Sequence, residues 1–139
     1  MANLYETTVK VQGARSGSIQ SEDGRLSLNL SVPKALGGDD GQGTNPEQLF
    51  AAGYGACFQG ALGLVARRHH IQLPADATIT ATVSMEKDSV SFLLNAHLEG
   101  HFPGMDRAQA QQLMEETLDV CPYSRATKGN MNTTVSVAE

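Results

Sequence analysis

The chain has 139 residues, a formal net charge of −5 and a hydrophobic fraction of 40%. This length suits one domain and hardly two, and the apolar content excludes a disordered chain. The acidic balance and an aromatic fraction of 5% argue against a nucleic-acid partner. We therefore expect a single folded domain that spans residues 1–139.

The first third of the chain predicts short strands separated by glycines. Apolar and polar residues alternate over about 5–11, 18–20 and 26–32. Arg15 lies between two glycines at the turn after the first of these strands, where a solvated side chain is the ordinary expectation. The opening residues show no basic stretch followed by an apolar one, so we expect a cytoplasmic protein without a secretory signal or a membrane partner.

A long apolar helix is predicted to follow a glycine-rich loop at 33–44, which we expect to be mobile and at the surface. Asn45 and Pro46 suit the cap and first turn of that helix, which should continue to about residue 70. Its apolar run is near the minimum length of a membrane span, but a buried helix is the more economical interpretation. The helix's own residues are small or apolar on every side, so it should be enclosed by other elements. One chain of this length can hardly enclose it, and we expect a homodimer.

The second half of the chain predicts a hairpin, a helix and a last strand. Strict alternation over 77–85 and 90–98 indicates an antiparallel hairpin with one buried face. Apolar residues three and four apart after Asp106 predict a helix that stops at Cys121, because Pro122 disfavours helical geometry before it. A strand is expected at 133–137. The whole order indicates an α+β fold with helices packed on a curved, mainly antiparallel sheet.

Two cysteines are the only thiols in the chain, Cys57 in the long helix and Cys121 at the end of the second. A free cysteine is more often a small buried hydrophobe than a nucleophile. No basic residue lies within two helical turns of Cys57, so a cation that activated it would have to come from elsewhere, and Arg15 is a candidate. The histidines lack the spacing of a metal site, and we expect none.

Glu47 is the acidic residue in the first turn of the long helix, where a carboxylate favours the helix dipole. Ten residues separate it from Cys57, about 15 Å along a straight helix. One arginine cannot comfortably bridge that distance. Either the helix breaks near residues 53–55, or the two residues meet across subunits.

Three stretches of the sequence resemble the organic hydroperoxide resistance proteins of the OsmC/Ohr family, and the likeness covers essentially the whole chain. They are GARSG around Arg15, TNPEQLFAAGYGACFQGAL from Thr44 to Leu62, and VCPYSRATKGN from Val120 to Asn130. The last is the most specific and is typical of the peroxidase branch. The resemblance implies an intertwined homodimer with the OsmC/Ohr fold. It also implies a cofactor-free peroxidase that reduces organic hydroperoxides.

The same resemblance implies a role for each candidate residue. Cys57 corresponds to the peroxidatic thiolate, Cys121 to the resolving cysteine, Arg15 to the activating cation and Glu47 to the carboxylate that holds it. The implied reductant is a protein-bound dihydrolipoyl dithiol, or dihydrolipoamide. Six apolar residues are candidates for an alkyl pocket, although we expect most of them to be core: Leu49, Phe50, Phe58, Leu113, Met114 and Tyr123.

Two other functions fit the residue pattern. A hotdog-type acyl-thioesterase would use Glu47 as its base and leave the cysteines as spectators. A non-enzymatic binder of apolar ligands, or a redox sensor, would need no turnover. Loss of titratable thiols on exposure to peroxide, reversed by a dithiol, favours the peroxidase; thioester cleavage that survives loss of Cys57 favours the hydrolase.

Overall fold

The computed structural model describes all residues, 1–139. The chain divides into two compact units, Met1–Leu49 and Phe50–Glu139. The α+β class is confirmed, and the strands form two three-stranded sheets, of order β1-β2-β3 and β4-β5-β6. The elements are β1 (Val9–Gln12), β2 (Ser18–Ser21), β3 (Ser27–Asn29), α1 (Pro46–Arg68), β4 (Thr78–Lys87), β5 (Phe92–His101), α2 (Arg107–Thr117), α3 (Pro122–Thr127) and β6 (Asn132–Val137).

The first unit is a small antiparallel sheet with a tight turn between β1 and β2. The strand β1 begins at Val9, later than expected, because its pairing with β2 ends where Val9 faces Ser21. The turn is a short 3-10 segment, Ala14–Ser16, which carries Arg15. Gly13 has a φ of 79°, and a Cβ at Gly17 would collide with the backbone of β1. Only glycines allow this close turn, which places Arg15 at its tip.

The glycine-rich loop at 33–44 is hydrogen-bonded to the segment that precedes it. The backbone N–H of Thr44 donates to the carbonyl of Asn29 at 2.9 Å, and the backbone N–H of Asp40 donates to the carbonyl of Val32 at 3.1 Å. A 3-10 turn at Lys34–Leu36 lies within the loop. The loop therefore folds back along the end of the first sheet instead of extending freely.

The second unit contains the predicted hairpin, which is confirmed. The strands β4 and β5 pair antiparallel from Thr78 opposite His101 to Lys87 opposite Phe92. The last strand, β6, pairs parallel to β5. A parallel neighbour requires a long crossover, and α2 with α3 supplies it.

The helix α1 runs without interruption from Pro46 to Arg68, so the break considered near residues 53–55 does not occur. Its length and composition would allow it to cross a membrane, which is weak evidence since core helices pass the same test. One face is buried in the core of the second unit, through Tyr54, Phe58, Ala61, Leu62, Val65 and Ala66. An opposite stripe that includes Ala52, Ala56 and Gly60 is exposed in the single chain.

The region around Pro122 differs from the expectation. The helix α2 ends at Thr117, earlier than Cys121, and a separate short helix, α3, starts at Pro122. Cys121 is the N-cap of α3, and the N–H of Arg125 donates to its carbonyl at 2.9 Å. The fixed φ of proline suits the first position of a helix. Pro122 therefore begins α3, whereas α2 has already ended at Thr117.

Candidate active site

The two thiols lie side by side in the second unit. Cys121 Sγ is 3.8 Å from Cys57 Sγ, and the contact has the geometry of a weak hydrogen bond. Both cysteines are free; Cys57 is half-buried and Cys121 is fully buried. A disulfide has a sulfur–sulfur distance of about 2.05 Å. Small side-chain movements would therefore join these two residues, which are 64 positions apart in the chain.

The thiol pair lies at one end of an aromatic cluster. The ring of Tyr123 has centroid distances of 6.1 Å to Phe50 and 5.7 Å to Tyr54. Phe50, Tyr54 and Cys57 follow the four-then-three spacing of one helical face. The start of α3 lies against this face, which brings Cys121 and Tyr123 next to α1.

The electrostatic surroundings within the second unit do not favour a thiolate. Burial raises the pKa of the Cys57 thiol above its ordinary value. The backbone N–H of Tyr123 opposes that rise by donating to the sulfur, and the neighbouring Cys121 adds to it. Cys57 is therefore mainly a neutral thiol at pH 7 unless a positive charge is brought to it.

Arg15 and Glu47 form a two-pronged ion pair in the first unit. Arg15 Nη2 donates to Glu47 Oε1 at 2.7 Å, and Nη1 donates to Oε2 at 3.0 Å. These hydrogen bonds hold the pKa of the Glu47 carboxyl below its ordinary value, although burial acts in the opposite direction. They also raise the pKa of Arg15. The guanidinium is thus a permanent cation in a fixed orientation.

The cap of α1 determines where Glu47 is presented. The backbone N–H of Gln48 donates to Asn45 Oδ1 at 2.8 Å, and Thr44 Oγ1 donates to Gln48 Oε1 at 2.7 Å. The predicted cap at Asn45 is therefore confirmed. It places Glu47 in the first turn, where the helix dipole also favours its negative charge.

The six residues predicted as pocket candidates fall into two groups. Phe58, Leu113 and Met114 are buried in the core of the second unit, at 0%, 3% and 0% exposure. Leu49 and Phe50 are half-buried and Tyr123 is partly exposed, so a ligand can reach these three more readily.

A cavity of about 620 Å³ in the second unit has Phe50 in its wall. The rest of its apolar lining was not predicted as part of a site, namely Phe92, Leu93, Leu94 and Met131. Asp88, Thr127 and Asn130 make the remainder of the wall polar. The hairpin pattern assigned Phe92 to the buried face, yet it is 61% exposed. The sequence signal that could have marked Phe92 as a cavity residue is its position as a large aromatic residue at a hairpin end, where core contacts are few.

Two of the histidines, His69 and His97, make hydrogen bonds with different partners. His97 is hydrogen-bonded to Thr134 and Ser136 on the neighbouring strand, and His69 is bonded to Glu116. No three side chains of the types His, Cys, Asp and Glu are grouped so that they could hold a metal ion.

Comparison with known proteins gives consistent matches over the chain. The sequence model of a family described as OsmC-like protein matches residues 37–136. An organic hydroperoxide resistance protein of Xanthomonas axonopodis pv. citri is 43% identical, over 97% of this chain and 95% of its own length. The crystal structure of an organic hydroperoxide resistance protein from Legionella pneumophila has a TM-score of 0.92 at 41% identity, covering 99% of this chain and 100% of that one. A putative organic hydroperoxide resistance protein of Vibrio cholerae, with captopril bound in one of its active sites, has a TM-score of 0.89 at 43% identity, covering 99% and 94%.

Proposed function

Because the chain belongs to the OsmC family and is closely related to organic hydroperoxide resistance proteins, as its motifs predicted, we propose that it is a thiol-dependent peroxidase that reduces organic hydroperoxides to alcohols. The observation that carries the proposal is the pair of free thiols 3.8 Å apart. A thiol peroxidase that resolves its sulfenic acid as an internal disulfide needs one accessible sulfur and a second within reach of it. A thioesterase that used Glu47 as its base would need neither.

The reaction follows from the two sulfurs. The Cys57 thiolate attacks the distal oxygen of the hydroperoxide, the O–O bond breaks, and the departing alkoxide takes a proton and leaves as the alcohol. Cys57 is then a sulfenic acid. The Cys121 sulfur attacks it, a disulfide forms and water leaves. A dithiol reductant restores both thiols by two exchange steps and becomes a disulfide itself.

Arg15 supplies the charge that the thiol pair lacks. Since burial raises the pKa of Cys57, a nearby guanidinium is needed to increase the thiolate fraction at neutral pH. The same cation would stabilise the negative charge that develops on the leaving alkoxide. Glu47 holds the guanidinium by two hydrogen bonds and so fixes its direction.

The ion pair acts, in this proposal, on Cys57 of a second copy in a homodimer. The continuity of α1 supports this, because ten residues along an unbroken helix correspond to about 15 Å. The exposed small-residue stripe with Ala52, Ala56 and Gly60 supports it too, since a second copy would cover that stripe. Each dimer then has two equivalent sites.

The organic part of the substrate occupies the cavity of about 620 Å³. Phe50 supports this assignment because it lines that cavity and its ring also packs near Tyr123, beside the thiols. The apolar part of the wall favours an alkyl or aryl hydroperoxide over hydrogen peroxide, and Asp88, Thr127 and Asn130 make the rest of the wall polar. The proposal includes a dihydrolipoyl protein as the reductant and the cytoplasm as the location.

The direct test is consumption of an alkyl hydroperoxide by purified protein supplied with dihydrolipoamide, thioredoxin or a monothiol. We expect turnover with dihydrolipoamide that exceeds turnover with the other two, and none with Cys57→Ser. Equal hydroperoxide consumption by wild type and Cys57→Ser would overturn the proposed function. Faster turnover with thioredoxin would overturn the reductant alone.

A second test mixes two inactive variants, Arg15→Ala and Cys57→Ser, after dissociating and reassociating the subunits. If Arg15 serves the partner's thiol, random pairing restores about a quarter of the wild-type sites. If Arg15 serves its own chain, every mixed dimer is inactive. Absence of recovery, with mixed dimers shown by native mass spectrometry, would refute the cross-subunit arrangement.

A further inference from the structure

The resolving cysteine lies at the start of α3, and this short helix is fastened to α1 by a buried hydrogen bond. The hydroxyls of Tyr54 and Ser124 are 2.6 Å apart. Tyr54 is fully buried and Ser124 is 5% exposed, so the bond is largely shielded from bulk solvent. Both residues also line a cavity of about 470 Å³. Ser124 is three residues after Cys121, and Tyr54 is three residues before Cys57. The bond thus joins the two segments that carry the thiols, one helical turn away from the sulfurs.

A second contact depends on the absence of a side chain at Gly53. A Cβ built there would be 2.7 Å from the Tyr123 hydroxyl and 3.3 Å from Cζ of the same ring. The ring packs against Phe50 and Tyr54 and is 38% exposed on its free side, so making room for a Cβ at Gly53 means giving up part of this aromatic contact. Gly53 and Cys57 are four residues apart on one face of α1, so the phenol of Tyr123 lies one turn from the reactive sulfur.

These two contacts matter because α3 is too short to hold its own position. It has six residues, and isolated helices of that length are not stable in water. Between α2 and α3 the chain passes through a turn, in which the N–H of Cys121 donates to Thr117 at 2.9 Å. The direction in which Cys121 presents its sulfur therefore depends on how the start of α3 lies on α1.

We propose that Gly53 and Tyr54 are positioning residues that keep Cys121 within reach of the oxidised Cys57, and so decide whether Cys57 becomes a disulfide or is oxidised further. The peroxide step of this inference rests on the proposed function. The Cys57 sulfenic acid has two fates. Cys121 attacks it with loss of water, or a second hydroperoxide oxidises it to a sulfinic acid and leaves as the alcohol. The second fate removes the enzyme from the cycle.

The test uses two variants and two matched controls. Tyr54→Phe removes the hydroxyl and keeps the ring, and Gly53→Ala adds the Cβ that meets Tyr123. Gly55→Ala and Gly63→Ala are the controls, because a Cβ at either position would have its nearest neighbour 3.5 Å away, an ordinary contact. All three glycine variants gain the same helix propensity, so only the contact with Tyr123 distinguishes Gly53→Ala from the controls.

The first measurement is the equilibrium between the dithiol and the disulfide in glutathione redox buffers, at a temperature where circular dichroism shows every variant folded. We expect the effective concentration of the two thiols to fall about 10- to 100-fold in Tyr54→Phe and Gly53→Ala, because small misplacements have effects of that size. The controls should match wild type. If the equilibrium of a test variant also matches that of wild type, the residue changed in that variant is not a positioning residue.

The second measurement is the fraction of Cys57 converted to sulfinic acid per turnover with excess alkyl hydroperoxide, by mass spectrometry. It should rise in both test variants and stay low in both controls. A wild-type protein that consumes no hydroperoxide would refute the proposed function, whereas the glutathione equilibrium would still decide the positioning. Normal hydroperoxide consumption with unshifted equilibria would refute the positioning alone.

Discussion

Glutamine in place of Glu47 tests whether the ion pair serves catalysis or only stability. The carboxylate accepts two hydrogen bonds from Arg15, at 2.7 and 3.0 Å. The side chain of glutamine has a similar size, but it has one acceptor oxygen and an amide NH2 group that cannot accept a hydrogen bond. Glu47→Gln therefore loses one of the two bonds and the charge on the other, and the guanidinium loses its fixed orientation.

The two possible roles of the ion pair predict different sizes for the loss of stability and the loss of peroxide rate in Glu47→Gln. The side chains of Arg15 and Glu47 are 43% and 18% exposed, and ion pairs as open to solvent as this one contribute about 1 kcal/mol or less to stability. That corresponds to a melting temperature lower by about 4 °C. A misdirected guanidinium, in contrast, should slow the peroxide step by about 10- to 100-fold. The activity loss should therefore exceed the stability loss.

The assay measures the peroxide step alone. Both Glu47→Gln and its parent carry Cys121→Ser, and reduced protein is mixed rapidly with an alkyl hydroperoxide while the sulfenic acid is trapped with a dimedone-type reagent. Urea unfolding of the same proteins gives the stability change. A peroxide rate within twofold of the parent would refute the positioning role of Glu47.

The double variant Arg15→Ala/Glu47→Gln shows whether Glu47 acts through Arg15. If it does, Glu47→Gln has little further effect once Arg15 is absent, because the group that it orients is gone. Full additivity of the two losses would show that Glu47 acts on the reaction by another route.

The remaining predictions concern the thiols, the cation, the carboxyl group and the cavity. Cys57→Ser should abolish hydroperoxide reduction, whereas Cys121→Ser should react once and stop as a sulfenic acid detectable by mass spectrometry; the reverse result would exchange their roles. Arg15→Ala should slow the peroxide step by orders of magnitude and Arg15→Lys should restore it only in part, since lysine lacks the planar fork; a lysine variant as fast as wild type would contradict this reason. The pKa of Glu47 is lowered in the folded protein, so the contribution of the ion pair is complete above the ordinary carboxyl value of about 4.3 and is lost as the pH falls through the lower folded value; urea unfolding as a function of pH should show this loss in wild type and not in Glu47→Gln. Phe92→Ala should raise the KM for a bulky hydroperoxide by about tenfold without changing that for hydrogen peroxide, because a bound organic group that covers part of this exposed ring gains about 1–1.5 kcal/mol; Val90→Ala, in the exposed turn just before β5, should leave both unchanged.

Features with a local cause were predictable from the sequence. Alternation with a period of two places apolar residues on one face, so the pairing of β4 with β5 needed no knowledge of the rest of the chain. The cap at Asn45 is local in the same way, because its side chain bonds the N–H of Gln48 three residues later. Arg15 was a candidate cation because no basic residue lies near Cys57 in its own helix, but its pairing with Glu47 was implied only by resemblance to a family, since neither their types nor their spacing indicated that they pair.

Features that depend on distant contacts were not predictable by pattern. The helix α3 is too short to show a period, and Pro122 was interpreted only as the end of a helix. The parallel pairing of β6 with β5 depends on the path of the crossover. Phe92 follows the alternation of a buried face but lies where the hairpin extends beyond its core contacts, so it is exposed.

The sequence by itself determined the capped apolar helix and the hairpin, because each is encoded within a short stretch of residues, and it determined the α+β class and the family through the order of such stretches along the chain. Only the tertiary structure decided that Cys57 and Cys121 lie 3.8 Å apart, that Arg15 reaches Glu47 with both nitrogens, and that Tyr54 bonds Ser124. These contacts join residues 32 to 70 positions apart. Their geometry depends on how helices and turns pack, and packing is a property of the whole chain that no local pattern contains.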